Sequence, residues 1–382
     1  MHIVYAREKP PSSWTKSLFL AGPTPRDKSI PSWRPEALRL LETAGYDGVV
    51  FVPENRGGAV KIDYTDQVEW EERCLNLADI VLFWVPREMK TMPALTTNIE
   101  WGVWHDSGKA VLGAPPDAQH VRYLRHYAEK MHVPTAETLS ETIGLALAAL
   151  GDGEMRLGGE REVPLSIWCT KHFQNWYRMV IRAGNRLDSA RVKWVFHVGS
   201  DKEMAFLFAL QVSVYVAAER RHKSNEVIIS RPDVSAILLY LPRLPIGQTK
   251  LLLVREFRSP VANIEGYVRE LPSGSSLSAR HTPDEVAIKE CEEETGLVIN
   301  HDRLRCHGAR QIASTLSAHR AHLFSAELTP EEYRTIIGRE KQAGGAEDDA
   351  EHTHVELRTL EEATQDPSID WSMLGMILSA IR

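Results

Sequence analysis

Cysteine is scarce in this chain: 382 residues hold four, at 74, 169, 291 and 306, and no two form a C-x-x-C pair. That excludes a disulfide framework and the zinc sites built on paired cysteines. No apolar run approaches the roughly 20 residues that a membrane-spanning helix needs. The opening residues, MHIVYAREKPPSSW, lack the apolar stretch of a secretion signal, so a cytoplasmic protein is expected. Positive charge is not in excess either. Lys and Arg number 45 against 52 Asp and Glu, a net charge of −7, which excludes the basic face of a dedicated nucleic-acid binder.

What is present suits a two-domain globular protein. The run GDGEMRLGGER at 151–161 is Gly-rich and charged, the clearest linker in the chain. The expected division is a first domain over 1–150, a lead-in over 151–222 that packs on the C-terminal half, and a second domain over 223–382. Within the first, apolar strands are expected at 17–21, 49–52, 80–85 and 110–113, alternating with helices at 33–44, 65–78 and 98–108. Unbroken apolar strands between helices predict a parallel sheet covered on both faces. Ligands of such sheets bind at the carboxyl ends of the strands. That edge would gather Gly22, Pro23, Glu54, 84–86 and the loop before Asn98.

In TTNIEWG (96–102), Glu100 follows small hydroxyl residues and an Asn near an expected helix start. The helix dipole would hold such a carboxylate ionised, and it could attack an oxocarbenium-like sugar carbon. The plainer alternative is a Glu that only complements the dipole. Arg26 and Arg34 follow the first strand and are read either as a grip on a 5′-phosphate or as surface residues.

The strand ending in Ala21-Gly22-Pro23, the run Ala78-Asp79-Ile80-Val81 and the segment Thr97-Asn98-Ile99-Glu100-Trp101-Gly102 together resemble the nucleoside 2-deoxyribosyltransferase family. The resemblance covers 17–114 and implies a flavodoxin-like doubly wound parallel sheet with Glu100 as nucleophile at the anomeric carbon. It also implies Asp79 and Asn98 beside sugar or base, with Gly22 and Pro23 allowing close approach of the ligand. Relatives pass the sugar either to another base or to water.

In the last third, 270–297 reads ELPSGSSLSARHTPDEVAIKECEEETGL. Thr282 suits an N-cap and Pro283 a first helical position, with Asp284 and Glu285 at the positive end of the dipole and Gly296 closing the helix. Glu290, Glu293 and Glu294 fall at i, i+3 and i+4, a repulsive arrangement that a divalent cation would relieve. A solvated acidic face is the alternative. Residues 289–297 resemble the second half of the Nudix box, R-E-U-x-E-E-x-G-U. The first half departs from it: Ser275 and His281 stand where the family has Gly and Glu, Gly274 comes one place early, and Lys289 replaces Arg. Strand-like VREFR (254–258) before ELPSG extends the resemblance over 223–365, toward the ADP-ribose branch.

That second resemblance implies an α+β Nudix fold, a mixed sheet sandwiched by helices, with Mg²⁺ or Mn²⁺ on Glu290, Glu293 and Glu294. Glu293 and Glu294 would serve catalysis and Arg258 the substrate, and a further carboxylate is expected in the acidic loop at 347–351. Together the resemblances imply a nucleoside, nucleotide or nucleoside diphosphate as substrate, and a homodimer or larger homo-oligomer. One half would cleave or transfer at the N-glycosidic bond while the other hydrolyses a diphosphate. Two further readings remain open: a non-catalytic Nudix half that senses a nucleotide and regulates the other, and sanitation of damaged nucleotides.

Overall fold

Continuous apolar runs in the first third become strands β1 (His2–Tyr5), β2 (Ser17–Ala21), β3 (Val49–Val52), β4 (Ile80–Trp84) and β5 (Ala110–Gly113), with a short β6 (Thr135–Ala136). Between them run helices α1 (Arg34–Thr43), α2 (Tyr64–Leu77), α3 (Leu95–Trp104) and α4 (Arg122–Lys130), and α5 (Leu139–Leu150) follows. The computed structural model describes residues 1–26, 29–56, 64–199, 204–275, 281–339, 343–344 and 352–381. It divides into two compact units, Met1–Ile229 and Ser230–Arg382.

The six strands form one parallel sheet in the order β1-β3-β2-β4-β5-β6. Leaving β1 aside, this is the 2-1-3-4-5 order of a doubly wound sheet, with its switch point between β2 and β4. Alternate strand residues feed two cores. Phe19, Phe51 and Phe83 face Trp70 and Cys74 of α2 and Trp101 of α3. Leu18, Leu20 and Leu82 face Ala37 and Leu41 of α1 and Ile143 and Ala146 of α5. Burial on both faces is why these strands read as unbroken apolar runs.

Residues 151–229, expected as a lead-in packed on the C-terminal half, belong instead to the first unit. A buried ion pair ties the segment to the first sheet. Arg156 donates to both carboxylate oxygens of Asp79, at 2.7 and 2.6 Å, with neither side chain more than 1% exposed. Leu165 adds an apolar contact to the α1/α5 core, and Arg191 pairs with Glu72 of α2 at 3.2 Å. The segment carries helix α6 (Lys171–Arg182) and three strands, β7 (Arg186–Val198), β8 (Met204–Val216) and β9 (Arg221–Ser230), in the order β9-β8-β7. Phe173 and Tyr177 of α6 pack on Leu187, Phe208 and Leu210. The mixed apolar run after 204 is therefore strand, paired antiparallel to β7.

The second unit is built on strands β10 (Val234–Leu241), β11 (Lys250–Phe257), β12 (Tyr267–Glu270), β13 (Ser273–Gly274), β14 (Arg305–Gln311), β15 (Arg320–Glu327), β16 (Ala343–Gly344) and β17 (Thr353–Thr359). They form a mixed sheet, β14-β15-β10-β11-β17-β16, with β12 on β11 and β13 on β10, and β10 and β15 are parallel. Period-two alternation splits its apolar residues. Leu252 and Val355 meet α7 (Pro283–Thr295) and α8 (Pro330–Arg339), while Leu251 and Leu253 meet α9 (Leu360–Gln365) and α10 (Trp371–Ile381).

Candidate active sites

In the first unit, parallel strands bring their carboxyl ends to one edge, and Gly22 marks it. Its φ is +150°, and an added Cβ would lie 2.2 Å from the Trp84 carbonyl oxygen and 2.8 Å from the Trp33 ring. The protein itself therefore requires glycine there, a constraint nearer than any ligand. The Pro23 carbonyl accepts from Trp33 Nε1 at 3.1 Å.

Arg34, the first residue of α1, is 1% exposed. Its guanidinium donates to the carbonyls of Leu20 (3.1 Å) and Gly22 (2.7 Å), to Thr24 Oγ1 (3.0 Å) and to Glu54 Oε1 (2.6 Å). It is thus neither a surface residue nor a phosphate grip, because its donors are spent on the protein. Arg26 is exposed.

Glu100 sits in the second turn of α3, which starts earlier than expected, at Leu95, after a left-handed Ala94 (φ +57°). Dipole effects fade beyond the first turn. Burial, reinforced by the nearby negative charge of Glu71, pushes the Glu100 carboxyl up to about 7, while Arg34 pulls it down. The expectation of a dipole-held carboxylate is corrected accordingly. Glu71, from α2, was missed by sequence reasoning. It accepts from Gln67 Nε2 at 2.8 Å, and burial raises its carboxyl too, against the pull of Arg34 and Arg7. The only sequence signal was its place on the inward side of α2. Asn98 is exposed on α3, and its Oδ1 accepts from buried Arg87. Glu100 and Glu71 are both half-buried, and Arg34 is buried.

Residues 15–118 match the family model described as nucleoside 2-deoxyribosyltransferase like. This part of the chain is a nucleoside 2-deoxyribosyltransferase-like domain. No curated protein matches the chain.

In the deoxyribosyltransferase-like domain, Gly22, Pro23, Asn98 and Glu100 lie at the carboxyl edge of the sheet, but Asp79 does not. It precedes β4, whose five residues set it about 16 Å from that edge. There it accepts from Ser17 N (2.9 Å), Ser17 Oγ (2.8 Å), Leu165 N (3.0 Å) and Arg156 (2.7 and 2.6 Å). Its acceptor capacity is consumed by the fold, so the placement beside sugar or base is corrected.

In the second unit, α7 has the expected ends: Pro283 at its first position, a Thr282–Glu285 capping box, and Gly296 left-handed at φ +70°. The three glutamates separate, however. At about 100° per residue, Glu294 lies about 40° to one side of Glu290 and Glu293 about 60° to the other. Glu293 pairs with Lys289 at 2.8 Å, both half-exposed or more. Glu294 turns inward, its Oε2 accepting from Ser273 N at 3.3 Å. Burial, then the charges of Glu290, Glu256 and Glu270, push its carboxyl up to about 8. Glu256 and Glu270 come from β11 and β12, so sheet and helix each supply acids.

Gly274 gives Glu290 room, since a Cβ there would meet its carboxyl carbon at 2.1 Å. Arg258 stands beside these acids, 2.8 Å from Glu256 and 3.9 Å from Glu270, and its side chain is 41% exposed. His281 is exposed before the first turn of α7, with its charge felt at Glu285. The acidic loop at 347–351 lies outside the described residues. Among the described residues, no three His, Cys, Asp or Glu side chains are set to hold a metal ion.

Proposed function

We propose that the first unit breaks the N-glycosidic bond of a nucleoside or nucleotide, with Glu100 as nucleophile. The observation that carries this is half-buried Glu100 on α3, in the segment that matches the family model and at the edge where doubly wound sheets bind ligands. Ionised Glu100 attacks the anomeric carbon. The C–N bond breaks with its electron pair passing to the base, which takes up a proton from solvent. Water or a second base then attacks the glycosyl ester and regenerates Glu100. Incubation with nucleosides, nucleoside monophosphates and NAD, with free base read by chromatography, tests this. Glu100→Gln is expected to stop release, and undiminished release by that variant would overturn the assignment.

A second reading concerns the other unit, as a Nudix-type hydrolase of a nucleoside diphosphate linkage such as ADP-ribose. It is favoured by the acids gathered around Glu294 and by half-exposed Arg258 beside them. Bound Mg²⁺ would neutralise diphosphate charge and activate water. Glu290 and Glu294 would hold it, Glu256 and Glu270 would add negative potential, and Arg258 would orient a phosphate. A nucleotide such as NAD contains both scissile bonds, which makes a shared substrate class part of the proposal. If the unit binds ADP-ribose but Mg²⁺ elicits no cleavage, the sensor alternative replaces hydrolysis. Activity confined to modified nucleotides would point to sanitation.

A further inference from the structure

Arg34, Arg87, Lys109 and Arg156 are the buried lysine and arginine side chains among the described residues. A buried charge is costly unless an opposite charge or dipole meets it. Arg34 has Glu54, and Arg156 has Asp79. Lys109 donates to the Leu75 and Asn76 carbonyls at 2.9 and 3.1 Å, at the negative end of the α2 dipole. Arg87 differs from all three. Its guanidinium donates to neutral acceptors, the His120 carbonyl at 2.8 Å and Asn98 Oδ1, and its Nε has no partner among the described residues.

Arg87 lies three residues beyond β4, at the carboxyl edge of the sheet, and meets α3 near its start. No side chain caps α3. The backbone N–H groups of Leu95, Thr96 and Thr97 therefore lack intrahelical partners and carry the positive end of its dipole. Arginine has donors and no acceptors, so Asn98 must turn its oxygen to Arg87 and its NH₂ outward. Thr96 and Asn98 are both exposed. The start of α3 thus presents donors, backed by a buried cation that no described carboxylate neutralises. An anion satisfies both. A rise of 1.5 Å per residue sets Glu100 about 6 Å along the helix axis from Thr96, a span within one nucleotide.

We infer that the start of α3 is an anion subsite: the first-turn N–H groups and the Asn98 amide grip a phosphate, while Arg87 fixes that amide and supplies the counter-charge. The anion is the 5′-phosphate of a nucleotide whose anomeric carbon reaches Glu100, and this assignment rests on the base-release reading.

The first test needs no activity. Inorganic phosphate is titrated into ¹⁵N-labelled full-length protein while the backbone amides of 95–97 and the Asn98 side-chain amide are observed. Saturable shifts at these groups are expected. Asn98→Asp sets a carboxylate of the same shape against Arg87 and should weaken phosphate binding by at least about tenfold. Arg87→Met should weaken it as much, and because Asn98 is exposed its variant decides alone if Arg87→Met does not fold. Unmoved signals at the start of α3 overturn the subsite, and so does equal phosphate affinity in Asn98→Asp, the mark of an adventitious ion only. Where base is released, the wild-type KM for a nucleoside 5′-monophosphate should lie about tenfold below that for the nucleoside, and Asn98→Asp should close the gap. Equal wild-type values overturn the phosphate assignment. If no nucleoside or nucleotide releases base, the function reading falls, while the phosphate titration still decides the anion subsite.

Discussion

Glu100 and Glu294 are held at positions where their charged form is disfavoured, and each has a measurable consequence. The Glu100 carboxyl is raised from 4.5 to about 7, so the folded state binds its proton more tightly than the unfolded chain does. That contribution to stability is complete below the unfolded value of 4.5 and disappears as pH rises through 7. Glu100→Gln should therefore unfold later than wild type above neutrality, by about 1–3 kcal/mol, and no later in acid. Glu294 is raised from 4.5 to about 8, so the same substitution there stabilises at alkaline pH over a wider window. Thermal unfolding of both variants at acid, neutral and alkaline pH checks the signs. The wild-type rate of base release should rise with pH through about 7, because the nucleophile must be ionised.

At the level of elements, α7 and β4 make separable predictions. Glu290 and Glu294 share one side of α7, and Glu293 turns toward Lys289. In Mg²⁺-dependent diphosphate cleavage, Glu290→Gln or Glu294→Gln should cost more than the about 10–100-fold of an outer-shell change, and Glu293→Gln less. On β4, Asp79 acts through the fold. Arg156→Met leaves it buried without its cation, which should cost about 3–5 kcal/mol in urea unfolding. Because both residues lie at the opposite end of the sheet from Glu100, the surviving folded fraction should keep its substrate affinity.

For the whole molecule, the boundary near 229 replaces the one expected near 150. A chain ending at 229 should melt cooperatively, whereas one ending at 150 leaves Asp79 unpaired and strips Leu165 from the α1/α5 core. Calorimetry of the two chains decides between the boundaries. Gly-rich composition at 151–161 misled the boundary because flexibility of sequence says nothing about a partner 77 residues away, the separation of Asp79 from Arg156.

What the amino-acid sequence determined by itself was local. Unbroken apolar runs specified strands buried on both faces, Thr282, Pro283 and Gly296 specified the ends of α7, and Glu100 stood out in its short motif. These follow from backbone propensity and periodicity, which neighbouring residues set. The tertiary structure alone decided which charges meet, Arg34 with Glu54, Asp79 with Arg156 and Arg258 with Glu256, and which carboxyls burial raises, Glu100 and Glu294 among them. Coulombic and desolvation energies depend on distance in space and on burial, and neither is written in the spacing of residues along the chain.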